Sequence, residues 1–386
     1  MNFRFSIKAL ALLVFITVFN PALASDEVRD KLSAWMKRNG IPGAAVEVYA
    51  DGKRTSYYLG YADKDNKTPV KENTIFEIAS ITKVFTTVLL ADQLIKGLMK
   101  LDDPVTQYIS DLPASSKNKL DQITLENLAT HTSGLPFNVP RPVNSKQKLF
   151  SFFTRWKNLN PPGTKWLYSN VNMGLLGFSL EKATHKSIYE LYDERILRPL
   201  GMHSSGAMIP KSLEQYYAQG YKMDGSPAPR RNMKEWMSPP NSDWIFPATG
   251  SLKSSPHDMF IFLKATLRAP GTPQYIADAM KVAQTTYVQT PRFNQGLAWM
   301  IHPDPDKNKS KLIGMKPKAG PYPASAYDTA VFNGNALMEK TGASGGFRAY
   351  IGVIPNQNTG VVLMVNRYIT SAELIKMGRE LALNQK

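Results

Sequence analysis

The 386-residue chain contains no cysteine. That excludes a disulfide scaffold, a thiolate nucleophile, an iron–sulfur cluster and Cys-ligated zinc. Histidine is scarce as well. His131, His185, His203, His257 and His302 are the full set, and no two share a metal-ligating spacing, so no metal is expected. The phosphate-cradling Gly-x-x-x-x-Gly-Lys-[Ser/Thr], the dinucleotide Gly-x-Gly-x-x-Gly and the Gly-x-Ser-x-Gly elbow are all missing, and no organic cofactor is expected either. Acidic side chains are outnumbered, 31 against 47 Lys and Arg, for a net charge of +16. The excess is scattered. Its densest stretch, Asp306 to Lys311 running on to Lys316 and Lys318, lies among Pro303, Pro305, Pro317 and Pro321 and reads as a solvated loop. No aromatic platform or helix-turn-helix signature accompanies it, so nucleic acid is not an expected partner. A basic surface that attracts small anions is.

With 43% hydrophobic and 20% charged residues, the chain has enough apolar surface for a sizeable core. Its first segment reads as something other than fold. Arg4 and Lys8 precede an apolar run from Ala9 to Phe19, and Ala22-Leu23-Ala24 precedes Ser25. A basic start, a short apolar middle and an A-x-A site predict a secretory signal cleaved after Ala24. The run is too short to cross a hydrocarbon core about 30 Å thick, and no later stretch reaches about 18 apolar residues. The expectation is a periplasmic protein, monomeric and without a stable membrane anchor.

Strand signals sit at both ends of the mature chain. Ala44 to Tyr49 and Ser56 to Tyr61 flank Asp51-Gly52, a strong hairpin signal. Phe347 to Ile354 and Val361 to Val365 flank Pro355 to Gly360, and a helical pattern from Ser371 to Leu383 follows. Between these ends the period becomes helical. Ile81, Val84, Phe85, Val88 and Leu89 mark one face before Gly97, and Leu125–Ala129, Met173–Ala183 and Ser187–Ile196 also read as helices. Strands at both termini with helices between predict an α/β (α+β) fold in which the first and last strands share a sheet. The α/β part is expected at about 25–80 and 205–386, with a mostly helical part at about 81–204 inserted in it.

Ser-x-x-Lys occurs at Ser80/Lys83, Ser116/Lys119, Ser145/Lys148 and Ser179/Lys182. Only Ser80-Ile81-Thr82-Lys83 opens an apolar-periodic helix. A serine there lies near unpaired N–H groups at the positive end of the helix dipole, and a lysine one turn on faces the same side. A desolvated amine in that place can accept the serine proton or stabilise an alkoxide. Two more short strings follow in order, each found once: Tyr168-Ser169-Asn170 after a Pro-Gly turn, and Lys340-Thr341-Gly342 leading into a strand.

Together these motifs resemble the serine β-lactamases and penicillin-binding proteins, most closely the class C β-lactamases. Class A enzymes carry Ser-Asp-Asn in the middle position; Tyr168-Ser169-Asn170 is similar to class C. The Glu-x-x-Leu-Asn string that class A needs occurs only as Glu380 to Asn384, after Lys-Thr-Gly, where it is a decoy. Asp102 to Val105, Leu128 to Pro136, Pro162 to Thr164, Gln284 to Trp299 and Lys340 to Asn366 extend the likeness along the mature chain. Three places depart from it. His131-Thr132-Ser133-Gly134 replaces the usual Tyr-Thr-Ala-Gly-Gly and matches related esterases and D,D-peptidases. Asn138 stands where class C has a glutamine, and Asn366-Arg367-Tyr368-Ile369 lacks part of a carboxylate-holding segment.

The resemblance implies an antiparallel sheet flanked by helices, an inserted helical domain and a site between them. It implies Ser80 as the nucleophile toward a β-lactam, with Lys83 and Tyr168 sharing proton transfer. A base role for Tyr168 requires its pKa to be lowered, with Lys83 and Lys340 as the candidate causes. The N–H groups of Ser80 and Ala343 are implied as an oxyanion hole. Asn138 and Asn170 would bind the substrate amide, and Lys340, Thr341, Gly342 and Ser344 its carboxylate side. A D,D-carboxypeptidase or esterase would use the same serine, lysine and tyrosine; a peptidoglycan binder would need none of them.

Overall fold

The computed structural model describes residues 21–109, 112–140, 143, 145–158, 160–230, 246–318 and 320–385. Residues 1–20 of the expected signal segment lie outside them. The described strands are β1 (Gly43–Ala50), β2 (Lys53–Asp63), β3 (Thr68–Pro69), β4 (Phe76–Glu77), β5 (Lys165–Trp166), β6 (Lys253–Ser254) and β7 (Thr286–Gln289), then β8 (Asn294–Gln295), β9 (Met300–His302), β10 (Tyr322–Pro323), β11 (Ser325–Val331), β12 (Leu337–Ala343), β13 (Arg348–Ile354) and β14 (Thr359–Val365). Ten of them form one antiparallel sheet in the order β11-β7-β8-β9-β12-β13-β14-β1-β2-β3.

The hairpin signal at Asp51-Gly52 is met. Ala50 pairs with Lys53, and the two turn residues take φ of 51° and 76°, the doubly left-handed turn whose twist suits flanking strands. The first and last strands are neighbours, with Ala44 opposite Val365 and Tyr49 opposite Gly360. Strand alternation then feeds two cores. Val46, Tyr350, Leu363 and Val365 face the helices Pro21–Asn39 and Ser371–Leu383, while Ala45, Ile351, Val362 and Met364 face the core that includes Phe85 and Leu89 of the helix Thr82–Ile95.

Two expectations change. The pattern read as one helix over Ser187–Ile196 is an α-helix at Ile188–Tyr192, a π turn at Asp193–Leu197 and a last turn at Arg198–Leu200. Pro199 has no N–H for the carbonyl of Arg195, four residues back. The Tyr275 hydroxyl donates to that carbonyl instead, at 3.0 Å. The basic stretch read as a loop holds a short helix, Lys309–Gly314, because Leu312 is buried against the terminal helix.

Beneath β12, on the side of the terminal helix, Glu339 accepts hydrogen bonds from Arg379 Nε at 3.0 Å, Arg379 Nη2 at 2.5 Å and the Tyr350 hydroxyl at 2.9 Å. His302 Nε2 lies 3.0 Å from the same carboxylate. Removing one partner of a buried ion pair strands the other charge. Arg379→Met is therefore expected to cost about 3–5 kcal/mol, read as a lower urea midpoint at unchanged slope.

Candidate active site

Ser80 sits in a 3₁₀ turn, Ala79–Ile81, that runs directly into the helix Thr82–Ile95. The buried side chains of Ile78 and Ile81 anchor the turn. Ala79 takes φ of 45°, a left-handed conformation that costs a non-glycine residue about 1–3 kcal/mol. Lys83, one turn on and wholly buried, donates from Nζ to Ser80 Oγ at 2.9 Å and to the Thr249 carbonyl at 2.7 Å. No acidic partner of Lys83 is found among the described residues. Burial, reinforced by the nearby Lys340 ammonium, holds its pKa well below the ordinary lysine range.

Tyr168 lies between two amines. Lys83 Nζ and Lys340 Nζ are each 5.1 Å from its ring centroid, and Lys340 Nζ is 3.4 Å from its hydroxyl. Desolvation nevertheless raises the phenol above its ordinary pKa, with the nearby Ser80 hydroxyl pulling the other way. The lowering that a base role for Tyr168 requires is therefore not found. Of the two, Lys83 has the direction of shift that suits a base.

Lys340 and Gly342 share one face of β12, two residues apart along the pleat. Gly342 has no room for a side chain: a Cβ there would lie 2.0 Å from the Ile78 carbonyl oxygen and 3.4 Å from Ser80 N. The strand backbone is thus pressed against the serine turn. β12 pairs with β9 only at Leu337, Met338 and Glu339, while its pairing with β13 continues to Ala343. Among the described residues, 340–343 consequently have no strand partner on the edge that lies beside Ser80. Thr341 is part-buried on that edge and its carbonyl accepts from Lys340 Nζ at 2.9 Å, Ala343 is exposed, and Ser344 is buried. The Ser344 hydroxyl has no partner among the described residues.

Asn170 opens the helix Asn170–Thr184, which is capped by the Ser169 hydroxyl. Its Nδ2 donates to Asn138 Oδ1 at 2.8 Å, so these two expected residues come together. The other three Ser-x-x-Lys strings do not form a pair of this kind. Ser116 and Lys119 each bond a backbone carbonyl, Ser145 caps a helix, and Ser179 bonds its own preceding turn. The Asn366 side chain joins Gly43, Tyr61, Ala62 and Gln219, and Arg367 bonds the Gly40 and Met223 carbonyls, so both hold chain segments together.

Two nearby residues had no role assigned from sequence. Arg348, opposite Ala343, fixes the turn between β12 and β13 by donating to the Ser344, Phe347 and Ile369 carbonyls. His131, legible only as a departure from the family pattern, lies buried with its ring centroid 4.5 Å from that of Tyr168.

Burial lowers the Lys340 pKa to about 7, with the Glu339 carboxylate pulling it upward. In the unfolded chain that lysine keeps its proton to about 10.4. Below pH 7 both states are protonated and the folded state bears the full penalty of a buried charge. Between pH 7 and 10.4 the unfolded state binds more protons, so stability rises with pH. Lys340→Met is expected to raise the melting temperature, most at pH 6 and least at pH 10, in a series of thermal melts.

The family model described as Beta-lactamase matches residues 28–384. A β-lactamase of Pseudomonas fluorescens is 32% identical over 352 residues, covering 88% of this chain and 93% of that protein. A β-lactamase of Escherichia coli strain K12 is 32% identical over 377 residues, covering 95% of each. A class C β-lactamase solved in complex with cefoxitin superposes with a TM-score of 0.84 at 27% identity, covering 93% of this chain and 98% of that one. The D-alanine carboxypeptidase AmpC from Burkholderia cenocepacia gives 0.83 at 28% identity, covering 94% and 99%. A serine turn, a buried lysine, a tyrosine and a Lys-Thr-Gly edge thus stand together in a chain that belongs to the class C β-lactamase family of serine hydrolases.

Proposed function

We propose that this chain hydrolyses the amide bond of β-lactams, with a preference for cephalosporins, through an acyl-enzyme on Ser80. The observation that carries the proposal is the 2.9 Å contact from Lys83, an amine whose burial favours its neutral form, to the Ser80 hydroxyl. As Ser80 Oγ attacks the strained carbonyl, its proton passes to Lys83. The negative charge that develops on the carbonyl oxygen is met by the N–H groups of Ser80 and Ala343, donors of a kind worth about 3 kcal/mol each in the transition state. Tyr168 stays a neutral phenol. It relays a proton between the Lys83 and Lys340 amines and the departing lactam nitrogen, which leaves as the C–N bond breaks. Water then attacks the ester carbonyl and gives up a proton to Lys83. The bond from the carbonyl carbon to Ser80 Oγ breaks, that proton passes to Ser80 Oγ, and the product acid is released. Asn138 and Asn170 hold the acylamido side chain, while Lys340, Thr341 and Ser344 hold the carboxylate at the free edge of β12. The chain works as a monomer in the periplasm.

A second reading has a specific observation behind it, since one of the similar structures is named a D-alanine carboxypeptidase. Both readings share the acylation step and differ in deacylation. Purified mature chain mixed with a chromogenic cephalosporin in a stopped-flow instrument separates them. Steady turnover beyond one equivalent supports the β-lactamase reading. A one-equivalent burst that stalls supports the carboxypeptidase, and no colour change at all sinks both.

A further inference from the structure

We propose that His131 is a positioning residue for Tyr168, fixing the tyrosine from both sides of its backbone and across its ring. The inference rests on the serine acyl-enzyme reading above. The carbonyl of His131 accepts from the N–H of Leu167 at 2.8 Å, and its ring Nδ1 accepts from the N–H of Ser169 at 3.3 Å. One residue therefore holds the backbone N–H of each of the two residues that flank Tyr168. Its imidazole also lies against the tyrosine ring, centroids 4.5 Å apart and planes tilted by 41°. The Trp166 ring, 6.2 Å away and nearly perpendicular, closes another side of the imidazole.

Such a bracket needs a particular chemistry. His131 has φ of 61°, the left-handed region that a branched or bulky side chain adopts only under constraint. That conformation lets backbone carbonyl and ring nitrogen reach the same short segment. Accepting at Nδ1 requires a neutral ring carrying its proton on Nε2. Nε2 is buried without a partner among the described residues, so hydrogen bonding on that side does not hold the ring in place. The charged and titratable groups that act on the ring are Lys83, Lys340 and Tyr168. Burial, with the two amines adding to it, keeps the imidazole pKa well below the ordinary range and so preserves the Nδ1 lone pair. Ser169 extends the effect, because its hydroxyl caps the helix that begins at Asn170 and donates to the Pro136 carbonyl at 2.6 Å.

A residue that only filled space would affect every rate alike, and stability with it. A residue that acts through the Tyr168 hydroxyl loses its influence once that hydroxyl is gone. The test is a double-mutant cycle on single-turnover acylation and deacylation by a chromogenic cephalosporin, with thermal melts alongside. His131→Phe keeps a flat ring and removes the acceptor. It is expected to slow acylation by about 10- to 100-fold, the scale of a modest misplacement of a reacting group, with KM changed less than about threefold. In a Tyr168→Phe background the same substitution is expected to change the rate by less than about twofold. His131→Asn keeps an acceptor near the Nδ1 position and tolerates left-handed backbone, so its loss is expected to be smaller, about threefold to tenfold. If the Phe variant does not fold, the Asn variant carries the same cycle. Equal losses in both backgrounds, or wild-type rates in both variants, overturn the inference while leaving the functional reading in place. A wild-type chain that no β-lactam acylates overturns that reading and the inference with it.

Discussion

Alanine at position 80 is expected to reduce β-lactam turnover by about 10⁴-fold or more, the scale seen when a nucleophile acting as part of a unit is removed. The substitution deletes one oxygen from a part-buried side chain and leaves the 3₁₀ turn, the Ala79 backbone and the Ile78 and Ile81 anchors untouched. Lys83 loses one hydrogen bond and keeps its bond to the Thr249 carbonyl. Because burial favours the neutral amine, no strongly held charge is stranded. The melting temperature is expected to stay within a few degrees of wild type. Loss of turnover with an intact melt separates a chemical role from a structural one.

Removing the base is the second large effect. Lys83→Met preserves length and apolar packing and is expected to slow acylation by about 10³-fold, within the range of general-base contributions. Lys83→Arg provides the sharper comparison. A guanidinium puts a permanent positive charge beside Ser80 and cannot give up its proton in this range. If Lys83 acts as the base, Arg is expected to be as slow as Met. If it acts only as a fixed cation, Arg recovers a tenfold or larger part of the loss. Pre-steady-state acylation rates of the two variants decide the matter, provided both melt cooperatively.

How much of this was legible beforehand depended on the range of the interactions. Asp51-Gly52 defines a turn by its own backbone preference, and the apolar period from Ile81 to Leu89 defines a helix by its own spacing. Both appear as expected, as do the terminal helix and the pairing of first and last strands. The π turn at Asp193–Leu197 was not legible, because the hydroxyl that relieves Pro199 comes from Tyr275, 80 residues beyond Arg195. The helix at Lys309–Gly314 was hidden for a similar reason: six residues with two adjacent apolar anchors, Leu312 and Ile313, are stable only against the terminal helix.

In the site, the motifs singled out Ser80, Lys83, Tyr168 and Lys340, whose side chains lie within reach of one another, and Asn170, which pairs with Asn138. Their protonation was not legible. Lys83 and Tyr168 both shift by desolvation, which depends on how the sheet, the serine helix and the Pro247–Thr249 turn close around them. Arg348 was missed and the role of His131 was not legible, because each works through backbone carbonyls or amides of other segments, which leave no pattern in spacing. The buried Glu339 cluster draws one partner each from β9, β13 and the terminal helix, so no local string encodes it.

The central claim is that Ser80 becomes covalently acylated, and mass spectrometry tests it most directly. The mature chain is mixed with a β-lactam, quenched in acid within milliseconds to minutes, and digested. The expected result is one β-lactam mass added to the peptide that carries Ser80, absent from Ser80→Ala. An adduct on another peptide, or none at any time while the antibiotic is consumed, would contradict the account.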